Sequence, residues 1–141
     1  MPAAGRLLAI DPGTKKIGVA VSDETRTIAR PLPIIKRESW KKLVLKLAGI
    51  VAEYDAKALV VGLPLNFDGS ESEMSAEARK MARNLSLSLP IPVFLQDERA
   101  TTYEARGNLW KQEISADKIA KLLDSEAAAI ILTDFLDRLG G

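Results

Sequence analysis

Asp11 closes an apolar run, Leu7-Leu8-Ala9-Ile10, and is followed by Pro12-Gly13-Thr14-Lys15-Lys16. A carboxylate at the end of a buried strand is costly unless something pairs with it. No Arg lies between Leu7 and Asp23 to do so, and a divalent cation is the commonest other partner. Two further acidic positions suit the same chemistry. Asp97-Glu98 follows the apolar run Pro92–Gln96, and Asp124 sits inside an apolar stretch near the C-terminus. The chain has no His and no Cys, which excludes Ser-His-Asp triads, thiolate chemistry, disulfides and nearly all zinc sites. Oxygen donors from Asp and Glu suit Mg²⁺ or Mn²⁺. Asp11, one of Asp97-Glu98, and Asp124 on one metal site would equip a phosphodiesterase. Each also has an ordinary explanation. Asp-Pro-Gly starts turns well, Asp97-Glu98-Arg99 reads as an exposed charged turn, and Asp124 can pair with Lys121 three residues earlier.

Groups that could hold phosphate lie beside these carboxylates. Gly13-Thr14-Lys15-Lys16 offers backbone amides, a hydroxyl and two ammonium groups, although such turns also serve as plain hairpins. Asn66 lies in a polar loop after an apolar run, and Arg99 directly follows Glu98. Charge is unevenly divided. Residues 1–46 carry ten Lys/Arg against four Asp/Glu, and residues 47–141 carry ten against fifteen. A basic half can track a phosphate backbone while carboxylates in the other half hold cations. Solvated helix and strand faces give the same count.

The elements that must position these residues follow from hydrophobic period. Arg6–Asp11 is a short apolar strand. Lys16–Ser22 alternates Ile17, Val19 and Val21 with smaller residues, as a strand does. Thr25–Ile35 is a third strand whose Pro31 and Pro33 suit a sheet edge. The three are expected to form an antiparallel meander. Ser39 caps a helix to about Tyr54, with Leu43, Val44, Leu47, Ile50 and Val51 at helical spacing. Ala58–Leu63 is continuously apolar, as in a central parallel strand. A polar loop, Pro64–Ser72, leads to a helix marked by Met74, Ala78, Met81, Leu85 and Leu89, and Pro92–Gln96 is the fifth strand. Thr101 with Glu104 resembles a capping box opening a helix to about Lys111. A last helix opens at Ser115 and runs to about Leu136, and its Ala127-Ala128-Ala129 allows close approach to a sheet. Right-handed crossovers should make strands four and five parallel. The expected result is one α/β domain over residues 1–141: a mixed five-stranded sheet with helices on both faces. Ligands of such sheets gather beyond the carboxyl ends of the strands, where Asp11, the Pro64–Ser72 loop and Asp97-Glu98 all fall. No apolar stretch approaches membrane-spanning length, and the N-terminus lacks the pattern of a signal peptide. A cytoplasmic location is therefore expected.

The chain resembles the YqgF/RuvX family of Holliday-junction-resolvase-like nucleases. Four blocks carry the likeness: Ala9-Ile10-Asp11-Pro12-Gly13 with Gly18–Asp23; Val61-Gly62-Leu63-Pro64 with Asn66 and Gly69; Asp97-Glu98-Arg99 with Thr101-Thr102; and Asp124 with Ala127-Ala128 and Ile131-Leu132. The resemblance implies a ribonuclease-H-like fold and an acidic triad of Asp11, Glu98 and Asp124. It also implies a nuclease of precursor 16S ribosomal RNA in the bacterial cytoplasm, with links to DNA recombination and transcription. Asp11-Pro12-Gly13-Thr14 also resembles the first phosphate loop of actin-like and sugar-kinase ATPases, which need a second domain that 141 residues do not accommodate. A non-catalytic module for RNA or the transcription machinery would keep the fold and the basic half. It would have no use for three carboxylates at one site.

Overall fold

A computed structural model describes residues 4–66, 68–98 and 116–140, with residues 116–124 described by backbone alone. Five strands form one sheet in the order β3-β2-β1-β4-β5. β1 (Leu7–Pro12), β2 (Lys16–Ser22) and β3 (Ala29–Lys36) are the expected antiparallel meander. β4 (Ala58–Leu63) pairs parallel with β1, and β5 (Val93–Asp97) pairs parallel with β4. Helix α1 (Trp40–Tyr54) joins β3 to β4, α2 (Glu73–Ser88) joins β4 to β5, and α3 (Ala116–Gly140) follows. The helix expected over Thr101–Lys111 lies outside the described residues.

Strand alternation sorts two cores. Leu8, Ile10, Ile17, Val19, Val21, Leu59, Val61 and Leu63 face α1 and α2, meeting Leu43, Leu47, Val51, Met81 and Leu85. Leu7, Ala9, Ala20, Ala58 and Val60 face α3, meeting Ala128, Ala129, Ile131, Leu132 and Phe135. The second core is built largely from small residues, so α3 lies close to the sheet. At Gly62 no side chain would fit without a shift: a Cβ there would lie 2.5 Å from Cδ1 of Ile131. β4 is buried along its whole length, as a central parallel strand must be.

Local chemistry sets the boundaries. Ser39 accepts a hydrogen bond from the Lys42 N–H and caps α1, and Ser72 with Ser75 forms a reciprocal capping box on α2. The third strand begins four residues later than its pattern suggests. The Asp23 carboxylate accepts hydrogen bonds from the N–H groups of Thr27 (2.7 Å) and Ile28 (3.0 Å) and from the Thr25 hydroxyl. That closes residues 23–28 into a loop and leaves Thr25 and Thr27 no ladder to join. β3 is an edge strand, as its prolines require. Its register slips once: Ile17 pairs with Ile35, but Val19 pairs with Leu32, so Pro33 and Ile34 together oppose Gly18. Pro33 has no N–H to donate, which makes this the natural place for a bulge.

Candidate active site

Asp11 ends β1 in register with Gly18 of β2. Leu7 and Ala9 face α3, so alternation turns Asp11 to the same face, at the carboxyl end of the strand. It is half-buried. The turn that follows is tight: a Cβ on Gly13 would collide with the carbonyl oxygen of Lys16, so no larger residue fits there. Arg37 braces this turn. Its N–H donates to the Lys15 carbonyl (2.9 Å), and its guanidinium donates to the Gly13 carbonyl (2.9 Å) while pairing with Glu77 on α2. Lys15 and Lys16 are exposed beside Asp11.

The second acidic position resolves into two unlike residues. Asp97 is the last residue in register with β4, opposite Leu63. The Glu98 N–H donates to the Leu63 carbonyl (3.1 Å), extending the parallel ladder by one step. Leu95 packs toward α1 and α2 and Phe94 toward α3. Alternation therefore sends Gln96 and Glu98 to the α3 face and Asp97 away from it. Asp97 is exposed, whereas both carboxylate oxygens of Glu98 are shielded from water. Asp11 and Glu98 thus share one face and one end of the sheet, on strands separated only by β4. Both are oxygen donors of the kind that hard divalent cations take.

The Asp124 side chain lies outside the described residues, as does Arg99. Its neighbour locates this part of α3. Ser125 is fully buried; its hydroxyl donates to the Leu32 carbonyl and receives a long contact (3.5 Å) from the Val19 N–H. Val19 follows Gly18, the register partner of Asp11. The Asp124–Ser125 segment therefore crosses the sheet beside the level of Asp11. Among the described residues no three His, Cys, Asp or Glu side chains form a group that could hold a metal.

Asn66 closes its own loop. Its side-chain amide donates to the Ser70 hydroxyl (3.1 Å) and the Glu71 carbonyl (3.0 Å), and its N–H donates to the Ser70 carbonyl (2.9 Å). It shapes the segment beyond β4, at the same end of the sheet as Asp11. In that loop the Ser75 hydroxyl and then Arg79 hold the Glu71 carboxyl below its usual range.

Lys36 is the residue that pattern reading passed over. It is the cross-strand partner of Lys16, so the two ammonium stems rise side by side on the α3 face. Like charges directly opposite each other destabilise a sheet, and none of the ion pairs among the described residues uses Lys15, Lys16 or Lys36. The bulge at Pro33-Ile34 decides this pairing, and no period in the sequence reports it.

Comparison with known proteins follows the same lines. The RuvX family model, described as Holliday junction resolvase, matches residues 5–138. The chain belongs to the RuvX family. A relative from Cereibacter sphaeroides named "Putative pre-16S rRNA nuclease" is 42% identical over 139 residues, covering 99% of this chain and 87% of the relative. One of the same name from Novosphingobium aromaticivorans is 44% identical over 137 residues, covering 97% and 88%. Among solved structures, Thermus thermophilus RuvC superposes with a TM-score of 0.56 at 16% identity over 96% of each chain. The fowlpox virus resolvase, solved with Holliday junction DNA, superposes with a TM-score of 0.55 at 14% identity over 95% of this chain and 98% of its own. The RuvX fold is thus that of the RuvC-like, ribonuclease-H-type resolvases.

Proposed function

We propose that this chain is a divalent-metal-dependent nuclease that hydrolyses phosphodiester bonds, with precursor 16S rRNA as its substrate and branched DNA as the competing one. The observation that carries the reading is the pair Asp11 and Glu98. Two carboxylates share the α3 face at the carboxyl ends of β1 and β5, and Glu98 has both oxygens shielded from water. Family membership and the names of the relatives make the reaction a phosphodiester hydrolysis.

An all-carboxylate donor set fits Mg²⁺ or Mn²⁺, and Asp11, Glu98 and Asp124 would hold the ion. When bound, it supplies Lewis-acid chemistry, activating water and stabilising charge on the leaving oxygen. The chain's own residues do the rest. Lys15 and Lys16, on the turn that Arg37 braces, bind phosphates flanking the scissile bond. Arg99, next to Glu98 in sequence, binds another, and the loop that Asn66 closes borders the strand. With precursor rRNA as the substrate, the proposed location is the cytoplasm.

One preparation assayed on matched precursor rRNA, single-stranded RNA and four-way-junction DNA tests the substrate. Asp11→Asn and Glu98→Gln should each abolish Mn²⁺-dependent cleavage with the circular dichroism spectrum unchanged. Asp97→Asn should cleave at near the normal rate. A fully active, folded Asp11→Asn variant would overturn the assignment.

A further inference from the structure

We propose that Ser125 is a positioning residue whose hydroxyl plugs the opening in the β2–β3 ladder and so sets the level at which α3 presents Asp124 to the carboxylate site. The proposal rests on the reading of Asp124 as the third carboxylate.

The bulge at Pro33-Ile34 interrupts the ladder between β2 and β3. It leaves the Val19 N–H and the Leu32 carbonyl near one another and buried beneath α3. A serine hydroxyl carries one donor and two lone pairs. The Ser125 hydroxyl uses both functions here: it donates to Leu32 O and accepts from Val19 N. A hydroxyl on a helix more often turns back to its own helix, as Thr133 does here, donating to the Ala129 carbonyl (2.9 Å). Ser125 instead reaches across to two strands, 106 residues away in sequence at Val19 and 93 at Leu32.

The rest of the α3 contact explains why such a plug matters. Ala127, Ala128 and Ala129 form a smooth buried surface, and Ala9 and Ala20 lie opposite. Apolar contact is non-directional, so a smooth face resists sliding weakly. Ile131 packs against Gly62 of β4, an apolar contact of the same non-directional kind. Among the described residues, the Ser125 hydroxyl, one residue from Asp124, is a directional contact between α3 and the sheet. Displacements of about 1 Å at a reacting centre cost on the order of a hundredfold in rate. The hydroxyl therefore holds Asp124 within that tolerance.

The test uses the full chain with Ser125→Ala, the hydroxyl-retaining Ser125→Thr, Asp124→Asn, and Ile131→Val as a packing control elsewhere on α3. Three quantities are measured: hydrogen exchange of the Val19 amide, Mn²⁺ affinity by calorimetry, and kcat and KM separately. Ser125→Ala should speed Val19 exchange at least tenfold, weaken Mn²⁺ binding about tenfold and lower kcat while KM holds. Ser125→Thr should restore all three, and Ile131→Val should leave Mn²⁺ affinity and kcat unchanged. Should Ser125→Ala misfold, the Thr variant and the Val19 exchange of wild type with and without Mn²⁺ still decide. Binding at Asp124 should slow that exchange if hydroxyl and carboxylate are coupled. Normal Mn²⁺ affinity and kcat in Ser125→Ala, with Asp124→Asn inactive, would overturn the plug and leave the nuclease reading standing. A fully active Asp124→Asn would instead remove the reading on which it rests.

Discussion

Asp23 shows how one side chain can reset an element. The Ile28 N–H and the Thr25 hydroxyl, with further help from the Thr27 N–H, lower its carboxyl from 3.8 to about 2. A carboxyl depressed on folding contributes stability above its unfolded pKa and loses it as pH falls through the folded one. The window is therefore about pH 4 down to about pH 2. The melting temperature of wild type should exceed that of Asp23→Asn at neutral pH, and the gap should close across that window. Comparing the two proteins cancels Glu38 and Glu71, whose carboxyls are also depressed and remain in both. A gap independent of pH would show that shape, not charge, closes the loop. Asp97 and Glu98 make the same point about single residues. They are adjacent in sequence, yet alternation sends them to opposite faces, and only the ladder reveals which one meets Asp11's face.

Helix α3 is the element that decides whether a site exists. Its run of alanines gives it the approach that a ribonuclease-H-like sheet requires, and Ala128 is fully buried against the small residues of β1 and β2. Ala128→Leu adds volume where none is free. Overpacking of this kind costs roughly 1–3 kcal/mol, and the helix can relieve it only by moving outward. The variant should melt lower. It should also lose cleavage activity well beyond its unfolded fraction when assayed at low temperature. Lower melting with normal low-temperature turnover would show that this packing does not position Asp124.

At the scale of the molecule, the fold brings three lysines of the basic half close to Asp11. Lys15, Lys16 and Lys36 come from the β1–β2 turn and the end of β3, both at the end of the sheet where Asp11 lies. Lys16 opposite Lys36 is a cost in the free protein that a bound phosphate would offset. Lys16→Ala with Lys36→Ala should flatten the slope of log affinity against log salt by roughly 1.4–1.8, the value for two lost phosphate contacts. The same pair should melt no lower at low salt, because relieving a cross-strand repulsion returns roughly 0.2–1 kcal/mol. An unchanged salt slope would place the nucleic-acid track elsewhere on the surface.

Much of this architecture was legible in the residues themselves, because strand and helix periods are local. Alternation in Lys16–Ser22, the unbroken apolar run of Ala58–Leu63 and the spacing of Leu43, Leu47 and Val51 each report burial directly. Pro31 and Pro33 marked an edge, and the lack of His and Cys limited any metal site to carboxylates. Asp11 and the pair Asp97-Glu98 stood out by their places after apolar runs, but nothing local told which of the pair shares Asp11's face. Tertiary structure alone decided the rest. The loop at Asp23 draws on hydrogen bonds that compete with strand pairing, so β3 starts later than its composition suggests. The pairing of Lys16 with Lys36 depends on a one-residue slip at a proline. The hydrogen bonds of Ser125, two residues before three alanines, depend on a gap between strands far away in the chain. A register or a bridging hydrogen bond belongs to two segments at once, and neither segment alone carries it.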